Sequence, residues 1–256
     1  MTLHATDLDF AYGPRPILKG AGFAPLKKGQ LTALIGPNAS GKSTLFRVIA
    51  GLLKPSRGTV MLNDQDLSTL SDKARLSRVC FMPQFFAANA ALTVFDVVMM
   101  ARKNLRGWRV NGDDMEAVGA ALNDARIGHL AEAYISELSG GQSQMVSVAQ
   151  ALIRQSEVYL FDEPTSALDL NHQLRVLGQI KEAIAARDAV GIVALDVLNL
   201  AARVADWMIL LRQRQVLADG TPQDILLRPE IAETYNVDIH ITTGPKEYLV
   251  VHAYPS

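Results

Sequence analysis

The feature that most constrains this sequence is a short apolar run leading into a glycine-rich loop. Residues 31–35 read Leu-Thr-Ala-Leu-Ile, and residues 36–43 read Gly-Pro-Asn-Ala-Ser-Gly-Lys-Ser. A run of this length ending in glycine predicts a buried strand. Residues 44–53 predict a helix, with Pro55 and Gly58 marking its exit. Strand, loop and helix in this order favour an α/β fold.

The loop matches the P-loop pattern, in which backbone N–H groups point inward and hold phosphate oxygens. The helix that follows presents its positive N-terminal end to the same anion. We expect Lys42 to contact the β- and γ-phosphates of a nucleotide and the Ser43 hydroxyl to bind Mg²⁺. The pattern alone leaves small-molecule kinases, GTPases and motor ATPases open. The predicted nucleotide-binding residues of this segment are Gly36, Pro37, Asn38, Ala39, Ser40, Gly41, Lys42, Ser43 and Thr44.

A second apolar run delivers two adjacent carboxylates. Residues 158–161, Val-Tyr-Leu-Phe, precede Asp162, Glu163 and Pro164. Open α/β sheets bind their ligands at the carboxyl ends of such strands. We expect Asp162 to hold Mg²⁺, directly or through water, and Glu163 to polarise a water that attacks the γ-phosphate.

The order of the remaining elements predicts a parallel sheet with a helical insertion. Residues 93–155 are rich in Ala, Met and Leu and predict helices. A further helix is predicted at about 174–186, and strand patterns return at 190–195 and 207–211. The longest apolar runs fall well short of the roughly 18 residues of a membrane-spanning helix. The formal net charge of -1 gives no overall basic surface, so we expect no nucleic-acid partner.

Residues 138–142 select among the nucleotide-dependent classes. They read Leu-Ser-Gly-Gly-Gln, precede Asp162 and open an apolar helical stretch. This resembles the signature of ABC ATPases, in which a helix N-terminus with small residues approaches a γ-phosphate closely. The order of P-loop, glutamine, signature, acidic pair and Ser-Ala-Leu-Asp at 166–169 also matches that family. The resemblance spans nearly the whole chain and argues against a kinase.

The resemblance implies further site residues. Tyr12 occupies the position of the aromatic residue that stacks on adenine, and Gln84 matches the glutamine that touches Mg²⁺ and the attacking water. In this family the signature meets ATP bound to a second copy, so that two ATP molecules lie between head-to-tail subunits. Asp169 is implied at that interface. The signature residues implied to contact ATP are Ser139, Gly140, Gly141 and Gln142.

The resemblance also implies the architecture. It is an α/β P-loop NTPase (RecA-like) core with an N-terminal antiparallel β-subdomain and an inserted α-helical subdomain, all within one ABC ATPase domain over 1–256. Within it, the core with its β-subdomain covers about 1–84 and 156–220. The helical signature subdomain covers about 85–155, and a C-terminal tail covers about 221–256.

The sequence departs from the family pattern in two places. Family members carry a histidine after the strand that follows the acidic pair, and Asp196 stands at that position, followed by Val197. An ionised aspartate has no proton to donate and repels phosphate at short range. We therefore expect weakened hydrolysis, unless Asp196 is protonated or turned away. Residues 143–145, Ser-Gln-Met, replace residues that are often basic, which predicts altered packing or interface charge.

The implied function is that of the ATP-hydrolysing subunit of a membrane importer. Motifs at 36–40, 168–173 and 196–201 resemble those of the branch that takes up iron-siderophores, haem and cobalamin. Import of molybdate or another metal ion is the alternative, followed by a non-transport ABC ATPase. The implied partners are a second copy, two transmembrane permease subunits and, indirectly, an extracytoplasmic binding protein. They place the chain on the cytoplasmic face of the inner or plasma membrane. Residues 85–100, with Phe85 and Phe86, are predicted to dock the permease.

Overall fold

The computed structural model describes residues 2–84, 91–103, 107, 109–244 and 248–255. The strands are β1 (Thr2–Tyr12), β2 (Arg15–Lys27), β3 (Leu31–Ile35), β4 (Arg57–Leu62), β5 (Gln65–Asp66), β6 (Val79–Met82), β7 (Val158–Asp162), β8 (Val190–Ala194), β9 (Trp207–Arg212), β10 (Gln215–Gly220), β11 (Val237–Thr243) and β12 (Leu249–Pro255). The helices are α1 (Lys42–Ile49), α2 (Asp72–Arg78), α3 (Val94–Lys103), α4 (Gly112–Asp124), α5 (Gly140–Leu152), α6 (Leu170–Ala186), α7 (Leu198–Val204), α8 (Pro222–Leu226) and α9 (Pro229–Tyr235).

The central sheet fixes the relative positions of the loops that matter. Its strand order is β10-β9-β3-β8-β7-β6. All neighbours pair in parallel except β10, which runs antiparallel to β9 at one edge. Leu34 lies opposite Ala194, and Ala194 lies opposite Asp162. The chain therefore leaves β3, β8 and β7 side by side at the carboxyl edge.

Both faces of this sheet are covered, which explains its continuous apolar runs. Leu31, Ala33 and Ile35 point into a core that includes residues of α5 to α8 and β12. Leu34 points to the opposite core, which is shared with α1 and the N-terminal strands. All residues of β3 are buried. This two-sided burial holds the glycine-rich loop on a rigid strand.

The N-terminal strands form a separate antiparallel sheet. Its strand order is β2-β1-β4-β5. Leu3, Leu8 and Leu18 are fully buried where this sheet packs against the second core. The predicted α/β class, with an antiparallel β-sheet beside a P-loop core, is confirmed.

Helices α3, α4 and α5 share a third core of their own. Helix α5 takes part in two cores, because Val146 and Ala149 pack into the helical group while Val148 and Ala151 pack against the central sheet. This helix therefore joins the helical group to the sheet that carries the P-loop. Of the helices that the structure describes, none is long and apolar enough to span a membrane.

The C-terminal segment, predicted as a tail, contains regular structure. It comprises α8, α9 and the antiparallel pair β11 and β12. The Asn199 side chain of α7 donates to the Val251 carbonyl at 3.0 Å and accepts from the Val251 amide at 2.7 Å. These paired hydrogen bonds fix α7 to β12.

Two predicted helix boundaries are wrong. Helix α1 ends at Ile49, short of residue 53, because Gly51 adopts a positive φ of 77°, which stops a helix just past its C-terminus. The helix predicted at 174–186 begins earlier, at Leu170. Asp169 caps it by accepting from the His172 amide at 2.9 Å.

Candidate functional site

The glycine-rich loop between β3 and α1 wraps closely against the sheet. Gly36 has a φ of 152°, and a Cβ atom there would meet the Leu211 carbonyl oxygen at 2.1 Å, so only glycine fits. Gly41 starts α1 with a φ of 112°. The Ser40 hydroxyl oxygen is buried and finds no hydrogen-bond partner among the described residues. A buried donor of this kind beside a helix N-terminus fits a bound phosphate group.

Lys42 folds back over the loop that carries it. Its ammonium group donates to the Gly36 carbonyl at 2.7 Å and to the Pro37 carbonyl at 3.4 Å. It also lies 2.8 Å from a carboxylate oxygen of Asp196. The Lys42 side chain is only 6% exposed. The loop thus holds one buried positive charge at a fixed place.

The acidic pair follows β7 at the same edge of the sheet. Asp162 is buried, and its carboxylate hydrogen-bonds to the Ser43 hydroxyl. Burial raises the pKa of Asp162, whereas the Ser43 hydrogen bond and the positive charge of Lys42 oppose that rise. A carboxylate and a hydroxyl in contact supply the oxygen ligands that Mg²⁺ prefers. The described residues contain no group of three or more His, Cys, Asp or Glu side chains arranged for a metal.

Glu163 has an unusual backbone and a tightly held side chain. Its φ of 49° lies in the left-handed region, which is uncommon for a residue other than glycine. Gln84 donates to its carboxylate at 2.5 Å. Burial raises the pKa of Glu163, and the negative charge of Asp196 acts in the same direction. Glu163 and Asp196 therefore lie in one small volume.

A pocket of about 560 Å³ gathers many of the predicted residues. Its size falls within the roughly 300–1,000 Å³ of small-molecule sites. Tyr12 lies at its rim, 44% exposed, with its ring packed edge-on against Phe10 at a centroid distance of 4.9 Å. The residues lining the pocket are Tyr12, Arg15, Ile17, Asn38, Ala39, Ser40, Gly41, Lys42, Ser43, Thr44, Gln84, Glu163 and Asp196.

The signature residues do not line this pocket within a single chain. Ser139 caps α5 in a capping box with Gln142, and Ser139 and Gly140 are exposed. Gly141 packs close to the Ala167 carbonyl. Asp169 is also outside the pocket, and hydrogen bonds from His172 lower the pKa of its carboxyl group. The structure therefore forms two separate groups of predicted residues.

Three residues near the site were not among the predicted site residues. Arg15 and Ile17 line the pocket. Arg15 pairs with Tyr12 across the β1–β2 hairpin, so a hairpin prediction would have placed it beside Tyr12. Gln144 is the third. It is buried, donates to the Glu163 carbonyl at 2.7 Å and accepts from the Ala167 amide at 2.8 Å. It also donates to the Ser166 hydroxyl at 3.3 Å. The sequence predicted altered packing or interface charge at 143–145, but not these partners.

Residues 91–100 of the predicted docking segment are among the described residues. Phe85 and Phe86 lie outside the described residues. Val94 and Val98 of α3 are buried in the helical core, whereas Met100 is 44% exposed and lines a groove with Phe81.

Comparisons with known proteins identify the family. Residues 23–166 match the ABC transporter family, which is more than half of the chain. An achromobactin transport ATP-binding protein of Dickeya dadantii is 37% identical over 222 residues, covering 86% of this chain and 82% of the relative. A hemin import ATP-binding protein of Thermobifida fusca is 34% identical over 246 residues, covering 96% and 86%.

Solved structures agree with this assignment. A chain of an ABC transporter in an inward-facing conformation, provisionally described as metal-chelate type, has a TM-score of 0.83 at 27% identity and covers 100% of this chain and 97% of its own length. A dimeric ATP-binding cassette in a post-hydrolysis state, bound to ADP and Pi, has a TM-score of 0.77 at 25% identity, covering 86% of this chain and 98% of its own. The chain belongs to the ABC transporter family and is an ATP-hydrolysing subunit of that family.

Proposed function

We propose that this chain powers a membrane importer of iron-siderophore, haem or cobalamin-type metal chelates by binding and hydrolysing Mg-ATP. The observation that carries the proposal is the single pocket that collects the P-loop, Gln84 and Glu163. The siderophore and haemin importers among its relatives support the cargo class, in preference to molybdate or another metal ion. The division of the chain into core, helical subdomain and C-terminal segment stays a prediction.

Each side chain has a separate task in this proposal. Tyr12 stacks on adenine at the pocket rim. The P-loop residues from Gly36 to Thr44 hold the phosphates, with Lys42 as the cation. Ser43, Asp162 and Gln84 provide the oxygen ligands for Mg²⁺, which neutralises charge on the phosphates during transfer. Glu163 polarises the attacking water.

Dimerisation completes the site. Because Ser139, Gly140, Gly141 and Gln142 stay outside the pocket of their own chain, they are free to meet ATP on a second copy. The exposed N-terminus of α5 is suited to a γ-phosphate, since the positive end of a helix favours an anion. Asp169 directly follows Ala167 and Leu168, the two residues against which Gly141 packs.

The subunit reaches the membrane only through its partners. We infer a peripheral location on the cytoplasmic face of the inner or plasma membrane, held by two permease subunits that receive cargo from an extracytoplasmic binding protein. The groove lined by Phe81, Met82, Met100 and Ala101 supports a docking role, because Met100 is 44% exposed and Phe81 is half-buried.

The role of Glu163 is tested by Glu163→Gln. The amide has nearly the same shape but cannot accept a proton, so we expect ATP hydrolysis to fall by about 10²- to 10⁴-fold while ATP binding is retained. Trapped ATP should also raise the dimer fraction in light scattering. Glu230→Gln, an exposed carboxylate paired with Arg228, is the control. Near-normal turnover of Glu163→Gln would remove Glu163 from the proposed chemistry.

The role of Gln144 is tested by Gln144→Leu. The change leaves the Glu163 carbonyl and the Ala167 amide without their buried partner, at a cost of about 1–3 kcal/mol. We expect kcat to fall about tenfold or more with little change in ATP affinity, because Glu163 is displaced from its productive position. Gln179→Leu removes a comparable bond, to the Asp124 carbonyl, away from the pocket. Equal kcat in both variants would contradict a positioning role.

The effect of Asp196 on hydrolysis is tested by Asp196→His. Asp196 lines the pocket and is not turned away. A histidine restores a hydrogen-bond donor toward the γ-phosphate, so we expect a higher Mg-ATPase rate than in the parent chain. Asp188→His at the other end of β8 controls for an added histidine. An equal or lower rate for Asp196→His counts against the hypothesis.

The docking groove is tested by Met100→Glu. A charge on this exposed apolar position should prevent co-purification of the permeases after detergent extraction, because burying it at an interface is costly. ATPase activity of the isolated chain should stay unchanged. Met115→Glu, which alters a methionine of similar exposure on α4, is the matched control. Retention of the permeases by Met100→Glu would place the docking surface elsewhere.

A further inference from the structure

Three neighbours surround the Lys42 ammonium group. It donates to the Gly36 carbonyl at 2.7 Å and to the Pro37 carbonyl at 3.4 Å, and it forms an ion pair with the Asp196 carboxylate at 2.8 Å. An ammonium group has three N–H donors, so these neighbours leave little room for a phosphate oxygen. We expect a phosphate bound to Lys42 to displace one of the three.

Asp196 is the partner that a phosphate would replace. The two carbonyls belong to the loop itself and keep their places as long as the loop keeps its shape. The Asp196 side chain is 40% exposed, faces the pocket and carries the same sign of charge as the phosphate. It occupies the position at Lys42 that an anionic ligand would take.

We propose that Asp196 competes with the γ-phosphate of ATP for Lys42, and so shifts the preference of the site from ATP toward ADP. This inference rests on the proposed role of Lys42 as the phosphate-binding cation. When ATP binds, a phosphate oxygen takes the place of the carboxylate, and Asp196 is left unpaired beside Glu163 and the triphosphate. ADP can reach Lys42 only through its β-phosphate and brings no γ-phosphate beside Asp196, so it bears less of this cost.

The backbone around Asp196 keeps its carboxylate close enough to Lys42 to compete with a bound phosphate. The Leu195 amide donates to the Leu34 carbonyl at 3.2 Å, which ties this segment to β3. Helix α7 begins at Leu198 and is fixed to β12 by the two Asn199 hydrogen bonds. An aspartate side chain is short. With its backbone tied on both sides, its carboxylate remains near Lys42 after it has been displaced.

The same contact also acts on product release. When the γ-phosphate leaves after hydrolysis, the Asp196 carboxylate pairs with Lys42 again in its place. The positive charge of Lys42 is therefore balanced by the γ-phosphate in the ATP state and by Asp196 after that phosphate has left. This differs from a histidine at the same position, which would offer Lys42 no negative partner.

The test measures equilibrium binding of ATP and of ADP to the full chain, with EDTA present so that hydrolysis does not occur. In Asp196→Asn the Kd for ATP should fall about fivefold, as expected for the loss of a half-exposed ion pair, while the Kd for ADP changes less than about twofold. Asp196→Ser serves as a second variant should the first fold poorly. Asp188→Asn removes an ion pair with Lys28 at the opposite end of β8 and should change neither value.

Competition for Lys42 is separated from simple repulsion by repeating Asp196→Asn in a Lys42→Ala background. Without the lysine there is nothing to compete for, so the substitution should no longer favour ATP. If Asp196→Asn still raises ATP affinity in this background, the effect is due to repulsion alone and the proposal is overturned. An unchanged ratio of ATP to ADP affinity when Lys42 is present also overturns it. If the parent chain binds neither nucleotide, the proposed function itself fails.

Discussion

The parallel pairing of β3, β8 and β7 is the constraint on which the site depends. The register aligns Leu34, Ala194 and Asp162 across the three strands. Since these strands are buried on both faces, their positions are fixed by packing as well as by hydrogen bonds. The loops that follow them emerge side by side, which brings groups far apart in sequence into one pocket. The contact between Lys42 and Asp196 is a direct result of this adjacency.

Helix α5 adds a mechanical consequence. It packs into the helical core and into the core beneath the central sheet, so the position of one core is tied to that of the other. Gln144, near the start of this helix, bonds to the carbonyl of Glu163, whose backbone is held at positive φ. A strained backbone persists only where its surroundings hold it. The signature helix and the acidic pair therefore form one structural unit, although twenty residues of sequence separate Gln142 from Asp162.

The sequence predicted the parts of this site that residue type and spacing encode. The P-loop, the apolar strand before Asp162 and the signature have required residues at set intervals. The structure has the expected strands β3 and β7 and helices α1 and α5 at these motifs. The role of Gln144 could not be found in this way, because its partners at Glu163, Ser166 and Ala167 are placed by tertiary packing. The end of α1 was missed because the conformation of Gly51 outweighed the propensity of the residues after it. The direction of the Asp196 side chain also depends on packing.

The charges around the pocket explain why Asp196 is tolerated. Among the described lining residues, Glu163 and Asp196 are acidic, and Arg15 and Lys42 are basic; Asp162 lies buried beside them. An unpaired carboxylate next to Glu163 would raise the free energy of the empty site, because like charges repel strongly where water is scarce. Pairing with Lys42 offsets part of that cost before nucleotide binds, and this compensation is lost when a triphosphate takes the lysine. By stabilising the empty site in this way, Asp196 weakens binding of the triphosphate, since the carboxylate and the phosphate depend on the same positive charge.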